Sequence, residues 1–211
     1  MNLVVFGASG GTGRELVRQA LAQGHHVTAF VRNPRSLTAQ EAVRVVVGDA
    51  TDAQLVANAI IGQDAVLSAL GPRSLGDRTL LPESMKQILP AMKLNGVRRL
   101  IVLGAAGVDP GAGKNLSAPA RLMMQLVGAT ILKNPFASQR AMQELIRRSD
   151  REWTIVQPPK LVNTEGRGLW RVDADALPPG AVRIARADVA AFMLAQLSST
   201  EWVRKAPFIA W

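Results

Sequence analysis

The run Leu3-Val4-Val5-Phe6-Gly7-Ala8-Ser9-Gly10-Gly11-Thr12-Gly13-Arg14-Glu15-Leu16-Val17 constrains this chain more than any other. It reads as a short apolar strand, a glycine-rich turn and the start of an amphipathic helix. A helix N-terminus carries unpaired N–H groups and partial positive charge, which together hold a phosphate. Glycines in the turn let the backbone approach a pyrophosphate and let the helix lie close on the strand. Gly7, Gly10 and Gly13 form G-x-x-G-x-x-G rather than the tighter G-x-G-x-x-G, yet the strand before and the helix after supply the context such a motif needs. The implied ligand is a dinucleotide. Thr12-x-x-Glu15 also fits a capping box, which requires no ligand.

The elements that follow alternate. Gly24 is expected to end the first helix. Strands are predicted over His26–Val31 and Val43–Val47, the latter followed by Gly48-Asp49. A helix from about Asp52 to Ile61, a strand over Asp64–Leu70 and a helix from about Thr79 to Leu94 come next. Pro90 should kink that helix. Arg99–Leu103 is a fifth strand. Apolar strands separated by helices predict a Rossmann-type, doubly wound parallel sheet with helices on both faces, in a single domain over 1–211. Its ligand belongs at the carboxyl ends of the strands.

The second half is less regular. Gly104–Pro119 is a glycine- and proline-rich loop of a length that is usually functional or mobile. Ala120–Lys133 is apolar nearly all round and too short to span a bilayer. It reads as a buried lid helix, with an oligomer or membrane contact as alternatives. Loop and helix together, at about 104–135, are assigned to the substrate side. A helix over Pro135–Ser149 and a strand over Trp153–Val156 lead into Gln157-Pro158-Pro159-Lys160. Strands near Leu169–Val172 and Ala181–Ile184, a helix from about Ala187 to Leu197 and a last strand near Phe208 complete the reading.

Composition removes several chemistries. The chain has 211 residues and no cysteine, which excludes disulfides, thiol nucleophiles and cysteine-ligated zinc, and suits a reducing cytoplasm. No stretch of about 18 consecutive apolar residues suggests a membrane span. The strand-like start leaves no room for a signal peptide. His25 and His26 are the only histidines, and adjacent strand residues point to opposite faces, so no metal site is expected. There is no tyrosine to act as a phenolic acid. The net charge of +9, from 25 basic and 16 acidic residues, permits an anionic partner, but the cations are scattered and no recognition motif accompanies them. A nucleic-acid partner is therefore not expected.

The end of the second strand bears on which dinucleotide binds. NAD-selective folds place Asp or Glu about twenty residues past the turn, to accept from the ribose 2′-hydroxyl. From Leu16 through Gln40 there is no acidic residue. Arg32 offers a donor fork suited to a 2′-phosphate, and Arg35 fits the same role. NADP(H) is expected in preference to NAD(H). Asp49, beside Ala50 at the end of the third strand, is placed to accept from the adenine amino group, or serves as a residue of the following helix start. Leu70, Gly71 and Arg73 lie along the presumed cofactor path. Arg73 meets a phosphate or is a surface turn residue.

These motifs resemble the atypical short-chain dehydrogenase superfamily, in particular the NAD(P)H-binding group that includes NmrA-like proteins and biliverdin reductase B/flavin reductase. The resemblance covers nearly the whole chain, through Phe6–Gly13, Val31-Arg32, Val47-Gly48-Asp49, Gly62–Val66, Leu70-Gly71-x-Arg73, Ala91-Met92-Lys93, Gly96-Val97, Pro158-Pro159 and Asp188 with Phe192-Met193-Leu194. It implies a nicotinamide near the ends of strands four and five, by Gly104, Ala105 and Ala106 and the Pro158-Pro159 turn. The chain departs from the flavin-reductase branch at Ala105, where that branch has serine, and at Lys160, where it has histidine. The resemblance thus implies an NADPH-dependent reductase of a flavin, quinone or similar small aromatic acceptor, the flavin being substrate rather than prosthetic group. Lys160 is the candidate for steadying charge on the acceptor or gripping its phosphate, or is a surface lysine or a cofactor-phosphate contact. Related flavin reductases suggest a monomer. The alternative is a non-catalytic NADP(H)-binding redox sensor of the NmrA-like type, acting through a partner protein.

Overall fold

The structure, a computed structural model, describes residues 1–34 and 43–211, with the side chain of Ala120 left aside. Six strands form one parallel sheet: β1 (Asn2–Phe6), β2 (His26–Val31), β3 (Val43–Val47), β4 (Ala65–Ser68), β5 (Arg99–Leu103) and β6 (Glu152–Val156). Their order is β3-β2-β1-β4-β5-β6. The direction of winding reverses between β1 and β4, and such a switch point opens a crevice beyond the strand ends.

Alternation along each strand builds two cores. Leu3 and Val5 of β1, with Val27, Ala29, Leu67 and Ile101, face α1 (Gly11–Ala22) and α6 (Arg186–Ala195). Val4 and Phe6, with Phe30, Val66, Leu100 and Val102, face α2 (Ala53–Ile60), α3 (Leu80–Leu94) and α5 (Lys133–Arg147). Phe6 and Phe30 meet at 4.8 Å between ring centroids, which locks β1 to β2 just below the crevice. Burying both faces is what a parallel sheet requires, and it explains why these strands are apolar throughout.

Local chemistry sets the boundaries. Asp52 caps α2 by accepting from the Leu55 amide at 3.0 Å. Gly24, at φ +77°, ends α1, with the His25 amide closing onto the Ala20 carbonyl. α3 runs on as one element through Pro90. The buried Arg99 ties β5 to β6 and to the end of α6, donating to Gln196 and Glu152 carbonyls and to the Thr154 hydroxyl.

Two expectations are corrected. The capping box does not form: α1 starts at Gly11, its N-cap Gly10 supplies no side-chain bond, and Glu15 accepts from Arg18 and Gln19 instead. The buried lid helix does not form either. The long loop folds into two 3-10 turns, Ala106–Val108 and Pro110–Gly113, followed by α4 (Ala118–Ala129), none of whose described side chains is buried. Small strands complete the second half: β7 (Lys160–Val162) pairs with β9 (Arg183–Ala185), and β8 (Arg171–Asp173) with β10 (Phe208–Ala210). β7 was not anticipated. Among the described residues no helix is long and apolar enough to cross a membrane.

Candidate functional site

A cleft of about 430 Å³ lies over the switch point. It begins at the glycine turn, crosses the ends of β1 and β4, and reaches Gly104 at the end of β5. Gly7 has φ +75°, and a Cβ there would stand 2.8 Å from the Ala69 carbonyl, so only glycine lets β4 leave the sheet so close. A Cβ on Gly13 would stand 2.1 Å from the Gly7 carbonyl oxygen, so the bare Cα seats α1 against the turn. Ala8, fully buried, anchors this turn in the core, while Ser9, Gly10, Gly11 and Thr12 line the cleft.

The electrostatics of this end call for an anion. The first turn of α1 has no side-chain cap and no acidic residue. Its N–H groups therefore face the cleft unsatisfied by side chains, at the positive end of the helix dipole. Arg186 lies directly over it: a Cβ on Gly11 would stand 2.6 Å from both Cδ and Nε of Arg186. Asn163 holds that guanidinium, accepting from Nη1 at 2.9 Å. The Asp188 carboxylate fixes the surrounding loop, accepting from the Arg167 and Gly168 amides and, at 2.7 Å, from the Trp211 indole. A cation over a positive helix end with no carboxylate between them is a matched pair of donors for a pyrophosphate. The glycine cradle and this charge arrangement fit a dinucleotide.

At the other outer edge, Arg32 follows β2, is exposed and lines the cleft. It is in no ion pair among the described residues. Arg35 lies outside the described residues. Asp49 and Ala50 line the same edge. Asp49 is already engaged: one oxygen accepts from the Thr51 amide and hydroxyl, the other is ion-paired with Arg73. Partial burial pushes the Asp49 carboxyl up, but the Thr51 hydrogen bonds and the Arg73 and Arg32 charges outweigh it and hold the group below the usual carboxylate range. Arg73 itself does not line the cleft; it spans from the β4 loop to Asp49, and its amide donates to Asp77. Leu70 and Gly71 line the floor between.

The inner end is different in kind. Ala69, Leu80, Leu103, Gly104 and Leu161 form its walls. Gly104 is held by its amide, which donates to Val156 at 2.7 Å. Ala105, Ala106 and the Pro158-Pro159 turn brace this wall from behind, through a 2.9 Å bond from the Ala106 amide to the Pro158 carbonyl, and none of them lines the cleft. Lys160 does not line it either. Neighbouring residues of a strand face opposite sides, and in β7 it is Leu161 that faces the cleft.

Two residues went unanticipated. Gln139 of α5 is only 7% exposed and lines the inner end, yet its Oε1 has no hydrogen-bond partner. An unpaired buried amide is costly, and it makes Gln139 ready for a polar ligand group. Its signal was a glutamine on the apolar face of an amphipathic helix. Arg186 is the other, and its signal was a base in the first turn of a helix, where the dipole prefers an acid.

Comparison with known proteins agrees with this geometry. YwnB, an uncharacterized protein of Bacillus subtilis (strain 168), is 27% identical over 172 residues, covering 79% of this chain and 76% of that one. A 3-beta-hydroxysteroid dehydrogenase of Mycolicibacterium neoaurum is 33% identical over 108 residues, 51% of this chain but only 30% of its own length. Among solved structures, a wide-type short-chain dehydrogenase/reductase from Veillonella parvula DSM 2008 in complex with NADP superposes with a TM-score of 0.79 at 16% identity, covering 100% of this chain and 94% of that one. ChuY, described as an anaerobillin reductase from Escherichia coli O157:H7, gives 0.75 at 23% identity, with 100% and 97% covered. These two share the Rossmann-type fold. A family model described as NAD(P)H-binding matches residues 7–200, from the glycine turn to beyond α6, and the chain belongs to that family.

Proposed function

We propose that the chain is an NADPH-dependent reductase that passes hydride to a flavin, a quinone or a similar small aromatic acceptor. The observation that carries this reading is the contrast between the two ends of the cleft. The outer end gathers Arg32, Arg186 and the uncapped α1 terminus, which suit phosphates. The inner end has apolar walls and the Gln139 amide, with no titratable side chain among the described lining residues. Such walls can align two flat rings but can neither give nor take a proton. That fits hydride transfer to an acceptor that draws its proton from water.

In this reading the turn from Gly7 to Gly13 and Arg186 hold the pyrophosphate, while Arg32, with Arg35, takes the 2′-phosphate. Asp49, Ala50, Leu70 and Gly71 border the adenosine, and Arg73 closes over that edge through Asp49. Gly104, braced by Ala105, Ala106, Pro158 and Pro159, forms the flat wall behind the nicotinamide. Gln139 offers its amide to the polar groups there. When bound, the reduced nicotinamide supplies the hydride, and a solvent proton completes the two-electron reduction of the acceptor.

The test is NADPH consumption by the purified protein with FMN, riboflavin or a small quinone, against NADH. Acceptor-dependent oxidation preferring NADPH is expected. Cofactor binding without turnover of any acceptor would refute the reductase and favour the sensor.

A further inference from the structure

A second cavity, of about 590 Å³, lies where α4 and α5 meet the two 3-10 turns, and it shares no lining residue with the cleft. Small-molecule sites are of this size. Lys133, Phe136 and Arg140, three and four positions apart, turn one face of α5 to it, while Gln139 turns to the cleft. Arg121 and Met124 of α4 line the facing side. The Phe136 ring is held closely: a Cβ on Gly107 would stand 2.7 Å from it, and one on Gly128 3.1 Å. Two bare backbones, one on the first 3-10 turn and one on α4, thus fix the ring as a wall of the cavity.

The charge of the lining calls for an anion. Arg121, Lys133 and Arg140 line the cavity, and Asp109 is the one carboxylate among its described lining residues, which leaves a net charge of +2. None of the three cations forms an ion pair among the described residues. Asp109 is engaged at the head of the second 3-10 turn, where it accepts from the Gly111 amide at 2.8 Å. Nε of Arg140 lies 3.5 Å from the Val108 carbonyl oxygen, which sets the guanidinium against the first turn. α5 begins at Lys133 with no side-chain cap and no acid in its first turn, so the positive end of its dipole adds to the same field. A phosphate monoester carries a charge of about −1.5 to −2 near neutrality, which matches this balance. Arginine forks suit its oxygens. Val108, Met124 and the Phe136 ring supply apolar wall, against which an aromatic body on that phosphate would lie.

We propose that this cavity is a second ligand site, which binds the phosphate monoester of a small aromatic molecule outside the cleft. Its occupancy is read without turnover, so the site stands or falls independently of the reductase. Phenyl phosphate, titrated calorimetrically with and without saturating NADP+, tests it. Binding is expected in both cases, with inorganic phosphate weaker and phenol not bound. Lys133→Gln with Arg140→Gln should raise the Kd for phenyl phosphate roughly tenfold or more, as loss of bonds to a charged group does. An unchanged urea midpoint reports that this variant is folded. Phe136→Leu should bring phenyl phosphate down to the affinity of inorganic phosphate and leave inorganic phosphate itself unaffected. Displacement of phenyl phosphate by FMN but not by riboflavin would identify the group as a flavin phosphate, and displacement by neither would identify a separate phosphorylated ligand; both uphold the site. No binding at millimolar phenyl phosphate, undiminished binding by the Lys133/Arg140 variant, or displacement by NADP+ overturns the proposal.

Discussion

Removing the guanidinium of Arg32 should change which nicotinamide cofactor the protein prefers. Arg32 is exposed and makes no ion pair among the described residues, so its charge is available to a ligand. Arg73, by contrast, is held by Asp49. For a cation about 4 Å from a phosphate carrying two charges in water-like surroundings, Coulomb attraction is about 2 kcal/mol. The high dielectric is the right one here because the side chain is solvated. An energy of about 2 kcal/mol is roughly a 30-fold change in affinity. Arg32→Ala should therefore raise the Kd for NADPH about 30-fold and leave that for NADH within about twofold. The assay is a titration of reduced-cofactor fluorescence, with both cofactors at one fixed salt concentration, since higher salt screens an exposed charge. Equal weakening of both cofactors would refute the reasoning, because it would mean Arg32 serves the shared part of the molecule.

Three further outcomes are expected. Gly13→Ala should destabilise the fold by about 1–3 kcal/mol, because its new methyl meets the Gly7 carbonyl rather than a side chain that can move; a urea midpoint equal to wild type would contradict this. Arg186→Ala should weaken NADPH and NADH alike, by roughly tenfold or more, and flatten the salt dependence of binding; selective loss of NADPH would place Arg186 at the 2′-phosphate instead. The Asp49–Arg73 pair should contribute a few tenths to about 1 kcal/mol, being partly exposed and screened. Because the folded carboxyl lies below its usual range, that contribution is full above the unfolded value and fades as pH falls through the folded one. Wild type and Asp49→Asn should thus differ in urea stability near neutrality and converge in acid, and a gap that persists in acid would count against the pair.

The half of the fold that carries the cofactor elements was legible because its signals are local. β2, β3 and β5 fall where their apolar runs begin and end, and Gly24 stops α1 through a backbone angle that glycine favours. The remainder depends on contacts between distant segments. β7 is three residues long and exists through pairing with β9, which no pattern within Lys160-Leu161-Val162 announces. That pairing also decides that Leu161, not Lys160, faces the cleft. α4 misled for another reason: an all-round apolar helix reads as buried, but apolar composition records what a segment can contact, not whether this chain provides the contact. Gln139 and Arg186 were missed because neither belongs to the glycine motif, although each breaks the local rule for its own helix.

The position of Arg186 over Gly11 has a consequence for how this protein comes to bind at all. In the proposed reading the two donors for one pyrophosphate belong to α1 and α6, so neither half of the molecule would hold the complete site. A partly folded chain, with α1 docked on β1 but α6 not yet in place, would offer a helix end and no opposing cation. On that reading cofactor affinity would be a gauge of finished tertiary structure. A ligand bound between α1 and α6 joins the two elements by its own phosphates and stabilises the assembled state in proportion to its concentration.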